Sequence, residues 1–369
     1  MIDSQTYRNQ RDMGAFFLVG FHGTELSSEA CDFLNEMNPA GVILFKRNVE
    51  DPVQVARLNR DLQEYSQTRL GKPWFIAVDQ EGGRVARLRE PFTVFPPALE
   101  LARSSDPESA VREFARVTAY ELRLAGFHLD FVPVLDVLSR ADATADSIIG
   151  DRSFGSDPAV VARLGRVLIE TMQSSGVITC CKHFPGHGGT TVDSHTALPV
   201  DGRDRATLEQ IDLVPFREAI AAQVDMTMTA HVVYPAIDPD FPATLSRSHI
   251  QGLLRDSLGF AGVIATDDLD MHAVADGWPP GECAELAIAA GADLLLVCNN
   301  PSRALAAQAG LYDAVKEGRI QPKRLDQSVK RLQAVQERYA SSMVACDPDE
   351  VRRYVAARTG SSGHIAQRQ

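Results

Sequence analysis

The densest group of reactive side chains lies in KHFPGHGGTTVDSH, where Lys182, His183, His187, Asp193 and His195 fall within fourteen positions. Metal binding is the first chemistry to weigh. Pro185, Gly186, Gly188 and Gly189 preclude the helix that would bring His183 and His187 onto one face. A metal-dependent hydrolase built on parallel strands also needs further ligands, such as a His-x-His on its first strand, and here that strand is followed by FHGTEL with only His22. No catalytic metal is expected. Acid–base chemistry fits better, because an extended Asp-Ser-His turn places the Asp193 carboxylate near the His195 imidazole, fixing its tautomer and favouring its protonated form. The bland alternative is a loop in which both side chains bond only to backbone.

A proton shuttle needs a nucleophile or an activated water, and GVIATDDLDM supplies two carboxylates at the end of an apolar run. Side-chain alternation sends Asp267 and Asp268 in different directions, so one is expected to face a substrate and the other to cap the following short helix. A carboxylate nucleophile with a separate acid suits glycoside hydrolysis, in which the sugar is carried as a covalent ester. In AVDQEGGRVARL, residues 77–88, the Gly82-Gly83 pair permits a tight turn, and Asp79 with Arg84 or Arg87 is suited to holding sugar hydroxyls. Neither Gly-x-Gly-x-x-Gly nor a Walker-type Gly-Lys-Ser/Thr occurs there, so no phosphate cofactor is indicated.

Eight short β-rich runs must position these residues: 16–21, 41–45, 74–79, 128–137, 176–181, 226–233, 262–267 and 292–298. Stretches of helical period separate them in almost strict alternation. Strands apolar on both faces and covered by helices belong to parallel sheets, and eight such units close a (β/α)8 barrel; an open doubly wound sheet is the rival. Asp79, Asp136, Lys182 with His183, His231, Asp267 with Asp268, and Asn299 all fall at the carboxyl ends of these runs. A barrel gathers such ends around one cavity. Two βα loops, 138–157 and 184–205, are long enough to suggest function. The expectation is a single TIM barrel over residues 1–340 and a partly flexible C-terminal tail over 341–369.

With 37 Lys plus Arg against 49 Asp plus Glu, the net charge of −12 repels phosphate backbones, so nucleic acid and anionic membrane are not expected partners. The first thirteen residues lack the apolar core of a secretory signal and the longest apolar stretch is too polar to span a bilayer, so a cytoplasmic location is expected. The six cysteines show no paired spacing and read as reduced thiols. A monomer is expected.

These motifs resemble glycoside hydrolase family 3, in particular its bacterial β-N-acetylglucosaminidases. The resemblance runs in order over about residues 14–310 through GVILFKRN, AVDQEGGRVARL, FVPVLDV, IGDRSF, KHFPGHG, DSH, MTAH, LGFAGVIATDDLDM and LLLVCNN. It implies that Asp267 is the catalytic nucleophile, His195 the acid/base and Asp193 its dyad partner, and that Asp79, Arg87, Arg152, Lys182 and His183 bind the terminal sugar. It further implies a retaining hydrolase that releases N-acetylglucosamine from the non-reducing end of a small carbohydrate, typically a muropeptide fragment in cell-wall recycling, with no cofactor. Alternatives are a relative acting on another β-glycoside or as a phosphorylase, and a non-catalytic sugar-binding barrel. The joint presence of Asp267, Asp193 and His195 argues against the last. Activity is therefore expected to survive exhaustive chelation; its loss, with recovery on adding zinc, would overturn the metal-free reading.

Overall fold

The computed structural model describes residues 7–139, 149–190, 194 and 196–362. Ten strands occur among them: β1 (Phe17–Val19), β2 (Gly41–Ile43), β3 (Phe75–Val78), β4 (Leu129–Asp130), β5 (Ile178–Phe184), β6 (Met226–Thr229), β7 (Val233–Tyr234), β8 (Asp238–Pro242), β9 (Val263–Asp268) and β10 (Leu294–Val297). Eight of them form a closed parallel barrel in the order β1-β10-β9-β6-β5-β4-β3-β2. Pairing of Phe17 with Leu295 and Val19 with Val297 joins the first strand to the last, which excludes the open sheet. This is the (β/α)8 architecture that the alternation of runs implies.

Two details differ from the sequence reading. The run 128–137 is a strand only at Leu129–Asp130, with one isolated bridge from Val134 to Lys182, because Pro133 has no N–H to donate to the ladder. An antiparallel hairpin of β7 and β8 follows β6, in a proline-rich and half-polar segment that shows no strand alternation.

Each barrel strand sends alternate side chains inward and outward. Cys180 joins Leu18, Phe75, Leu129, Met226 and Leu296 inside the barrel, while its neighbour Cys181 packs among the outer helices. The outer helices repeat one starting device. Asp51, Asp106, Asp157 and Asn300 each precede a proline and accept N–H bonds from the first turn of Pro52–Tyr65, Pro107–Leu124, Pro158–Ser174 and Pro301–Lys316. Gly41 shows how tightly the strands approach, since a Cβ there would lie 2.1 Å from the Phe75 carbonyl oxygen.

Helix Pro322–Arg338 closes the amino-terminal end of the barrel, where Leu332, Val335, Tyr339 and Met343 complete the interior cluster. Its attachment is ionic as well as apolar. Buried Asp293, just ahead of β10, accepts from Arg255 (2.5 Å), Arg331 (3.0 Å), Ser328 (2.6 Å) and the Ile264 N–H (3.0 Å). Within the stretch 341–369, a helix spans Pro348–Ser362; its Val351 is buried and Tyr354 donates to Glu121 at 2.7 Å. No helix among the described residues is long and apolar enough to cross a membrane.

Removing one partner of a buried ion cluster strands the others. Asp293→Ala is therefore expected to destabilise the fold by about 3–5 kcal/mol in urea unfolding. A loss below about 1 kcal/mol would show that apolar packing alone holds the closing helix.

Candidate active site

A cavity of ≈ 730 Å³ opens at the carboxyl end of the barrel, and Asp79, Arg87, Arg152, Lys182, His183 and Asp267 all line it. Asp79 follows β3, Lys182 and His183 lie in β5, and Asp267 lies in β9. Barrel closure is what brings these separate stretches to one place.

The charged groups form an alternating chain. Arg87 Nη2 donates to Asp79 Oδ2 (3.2 Å), and Lys182 Nζ donates to Asp79 Oδ1 (2.7 Å) and is paired with Glu81 Oε1 (2.6 Å). Arg152 then grips Glu81 with two parallel bonds, Nε to Oε2 at 2.7 Å and Nη2 to Oε1 at 2.8 Å. Burial opposes the charges of Glu81, Lys182 and Arg152, and the pairing overcomes it. Arg152 and Lys182 hold the Glu81 carboxyl well below the usual carboxylate range, while Asp79 and Glu81 raise the Lys182 ammonium above its ordinary value. Glu81 is absent from the residues singled out by sequence. The only signal was a second carboxylate two positions after Asp79, at the edge of the glycine turn. Arg84, by contrast, pairs with Asp151 at 2.9 Å.

Asp136, fully buried, organises the start of the His-rich loop. Its Oδ1 accepts the N–H groups of His183 (3.1 Å) and His187 (2.6 Å), and its Oδ2 binds His183 Nδ1 at 2.7 Å. That bond leaves His183 Nε2 for the cavity. His183 and the neighbouring N–H groups also hold the Asp136 carboxyl below its usual value in spite of burial. Gly188 lets the loop lie against its neighbour, since a Cβ there would sit 2.0 Å from the Val137 carbonyl oxygen. The His187 ring is engaged on both sides, Nδ1 with Thr190 Oγ1 (2.6 Å) and Nε2 with Ser194 Oγ (3.3 Å). Asp193 and His195 lie outside the described residues. Ser194 between them is buried, lines the cavity and accepts from the Ala273 N–H at 3.2 Å.

Asp267 and Asp268 both line the cavity, contrary to strict alternation. The ladder between β9 and β10 shifts register between Leu294 and Leu296, which turns the second carboxylate toward the same opening. Their environments differ sharply. Burial raises the Asp267 carboxyl, but His183, His231, the Asp268 N–H and Lys182 outweigh it and keep the group below its ordinary value. Asp268 accepts from the N–H groups of Asp270 and Cys298 at 3.0 Å each and from Asn299 Nδ2 at 3.0 Å, and Asn299 in turn accepts from Arg47. Burial, with Asp270 and Asp267 nearby, pushes Asp268 up to about 7. Asp268 thus braces the loop after β9 as well as bordering the cavity.

Asp130 adds a titratable group behind Asp79. Its Oδ1 accepts from the Gln80 N–H (2.9 Å), and its buried Oδ2 has no partner among the described residues. Burial pushes this carboxyl up to about 8. A carboxyl whose folded pKa exceeds its unfolded value contributes stability that is full below about pH 4 and is lost as pH rises through the folded value. Asp130→Asn should remove part of that decline, improving stability at about pH 8 relative to about pH 5 by on the order of 2 kcal/mol against wild type. Parallel urea curves at the two pH values check this, and an unchanged difference would mean that Asp130 is already ionised at neutral pH.

Residues 12–335 match the glycosyl hydrolase family 3 N-terminal domain. The beta-hexosaminidase of Xylella fastidiosa strain 9a5c is 40% identical over 287 residues, which are 76% of this chain and 83% of that one. A family 3 beta-N-acetylglucosaminidase structure from Paenibacillus sp. str. FPU-7 aligns with a TM-score of 0.86 at 42% identity, covering 90% of this chain and 62% of its own longer chain. The structure of a beta-N-acetylhexosaminidase from Beutenbergia cavernae aligns with a TM-score of 0.81 at 32% identity, over 89% of this chain and 98% of the other. With the domain match spanning the whole barrel and the cavity built from its strand ends, this chain belongs to glycoside hydrolase family 3.

Proposed function

We propose that this chain is a retaining exo-β-N-acetylglucosaminidase that removes N-acetylglucosamine from the non-reducing end of small glycans. The observation that carries the reading is Asp267, half-buried at the end of β9 yet held below the ordinary carboxylate range by facing cationic and hydrogen-bonding groups, in a cavity that also holds the Asp79–Lys182–Glu81–Arg152 chain. Its relatives carry the names beta-hexosaminidase and beta-N-acetylglucosaminidase.

In this mechanism the sugar enters with its hydroxyls and acetamido group against Asp79, Arg87, Arg152, Lys182 and His183. Asp267 attacks the anomeric carbon and forms a glycosyl ester, while His195 in its protonated form delivers a proton to the departing oxygen. Asp193 would favour that imidazolium and fix its orientation. Water then attacks the anomeric carbon of this ester, His195 takes its proton, the bond from that carbon to Asp267 breaks and Asp267 leaves as a carboxylate, so two inversions retain the anomeric configuration. Histidine suits this role at neutral pH: an unperturbed imidazole is roughly a quarter protonated at pH 7, an unperturbed aspartic acid only about 0.1%. No metal or organic cofactor is needed for these steps. Muropeptide fragments of cell-wall recycling, met in the cytoplasm, are the proposed natural substrates.

Asp267→Ala is expected to lower kcat on an aryl N-acetyl-β-glucosaminide by on the order of 10⁴-fold or more, since it removes the group that carries the intermediate. Asp268→Ala should cost about 10–100-fold, as loss of an outer support commonly does. A 5-fluoro glycoside should label one peptide, at Asp267. Labelling elsewhere, or release of the inverted anomer, would overturn the mechanism.

A further inference from the structure

We propose that Glu81 is a positioning residue for sugar recognition, setting the spacing and mutual orientation of Lys182 and Arg152. This rests on reading the cavity as the sugar site. The three side chains come from separate βα units: Glu81 from the turn after β3, Lys182 from the end of β5, and Arg152 from the loop beyond β4. Barrel geometry alone brings them near one another but does not fix their heads to the tolerance that hydrogen bonding to a sugar demands.

Glu81 supplies the missing restraint. Its side chain is 4% exposed, and its two oxygens already accept three bonds, one from Lys182 and two from Arg152. A carboxylate so engaged is poorly placed to bind a hydroxyl itself, so its effect on the sugar runs through the two cations. Its own backbone is held on both sides of the glycine turn. The Glu81 N–H donates to the Val85 carbonyl at 2.9 Å, and the Gly83 N–H donates to the Phe95 carbonyl at 2.9 Å. Gly82 and Gly83 take φ values of 88° and 56°, which a side chain rarely adopts, so the turn that delivers Glu81 depends on them.

Charge makes the same point. Glu81 is the one ionic partner of Arg152 among the described residues, and without it Lys182 would share Asp79 with Arg87. Two weakly solvated cations would then face each other without an intervening anion, and repulsion in a low-dielectric site would drive them apart. The raised Lys182 ammonium gives an independent readout, because removing Glu81 lowers its pKa toward the alkaline range of ordinary assays.

The test is Glu81→Gln, which keeps the shape and removes the charge. N-acetylglucosamine affinity by calorimetry and kcat/KM on an aryl N-acetyl-β-glucosaminide should each fall about 10–100-fold, as is common when the outer partner of a ligand is removed. The alkaline fall in N-acetylglucosamine affinity, which does not depend on the His195 proton, should move to lower pH. In an Arg152→Gln background the same change should cost less than it does alone, because part of its target is already gone. If the single variant fails to fold, the Glu81→Gln/Arg152→Gln pair, which strands no cation, is compared with Arg152→Gln. Unchanged sugar affinity with an unshifted alkaline fall, or full additivity with Arg152→Gln, would overturn the proposal. A wild-type protein that neither binds nor releases N-acetylglucosamine would instead overturn the reading of the site.

Discussion

Every charge taken out of water in this barrel must meet an opposite charge or a set of hydrogen bonds, and that constraint shapes both ends of the molecule. At the amino-terminal end Asp293 collects Arg255, Arg324 and Arg331, and Asp225 collects Arg338, Tyr339 and Gln173, so the closing helix is fixed to the strands by ionic contacts as well as by apolar packing. At the carboxyl end the same rule produces the alternating chain from Arg87 to Arg152. The first arrangement is saturated by protein partners. The second lines the cavity and so borders open space. One physical rule thus fixes the closing helix at one end and the charged lining of the cavity at the other.

The His-rich loop applies that rule to backbone. Asp136 holds the N–H groups of His183 and His187 while its other oxygen orients the His183 ring. A buried carboxylate with three donors costs little to keep ionised, and it fixes the loop where it leaves β5. His187 carries the restraint onward to Thr190 and Ser194, and Ser194 is bonded in turn to Ala273 beyond β9. The segment after the strand bearing Asp267 and the start of the His-rich loop are therefore joined by protein contacts before any substrate arrives. Preorganisation of this kind limits the reorganisation needed as charge develops in the reaction.

What the sequence made legible was whatever is local. Eight apolar runs, the helix-period stretches between them, and the KHFPGHG and TDDLDM stretches can each be read without knowing what lies opposite. Strand β4 is shorter than its apolar run over 128–137 because those residues conceal the effect of Pro133, and the β7–β8 hairpin leaves no signal because DPDFP has neither alternation nor β-rich composition. Glu81 was missed for a different reason. By type it is an ordinary glutamate beside two glycines; only its meeting with Lys182 and Arg152, about 100 and 70 positions away, reveals a task. The Asp136–His183 pair, 47 positions apart, shows the same limit. Both residues were noted at strand ends, but their bond could not be.

Adjacent Asp267 and Asp268 show most clearly how location overrides residue type. They share a strand end and a cavity, yet one is held below the ordinary carboxylate range and the other is pushed up to about 7. Two neighbouring carboxylates in poor solvent repel when both are ionised, so the more strongly supported member keeps its charge and the other tends toward its neutral form. Asp267 has His183, His231 and Lys182 around it, whereas Asp268 faces Asp270 as well as Asp267. Each proton that Asp268 retains removes a negative neighbour from Asp267 and makes ionisation there easier. The Asn299 amide and the N–H groups of Asp270 and Cys298 oppose this by bonding the Asp268 oxygens, but burial outweighs them. In this way a chemically identical pair is divided into a group held anionic and a neighbour that holds the loop in place.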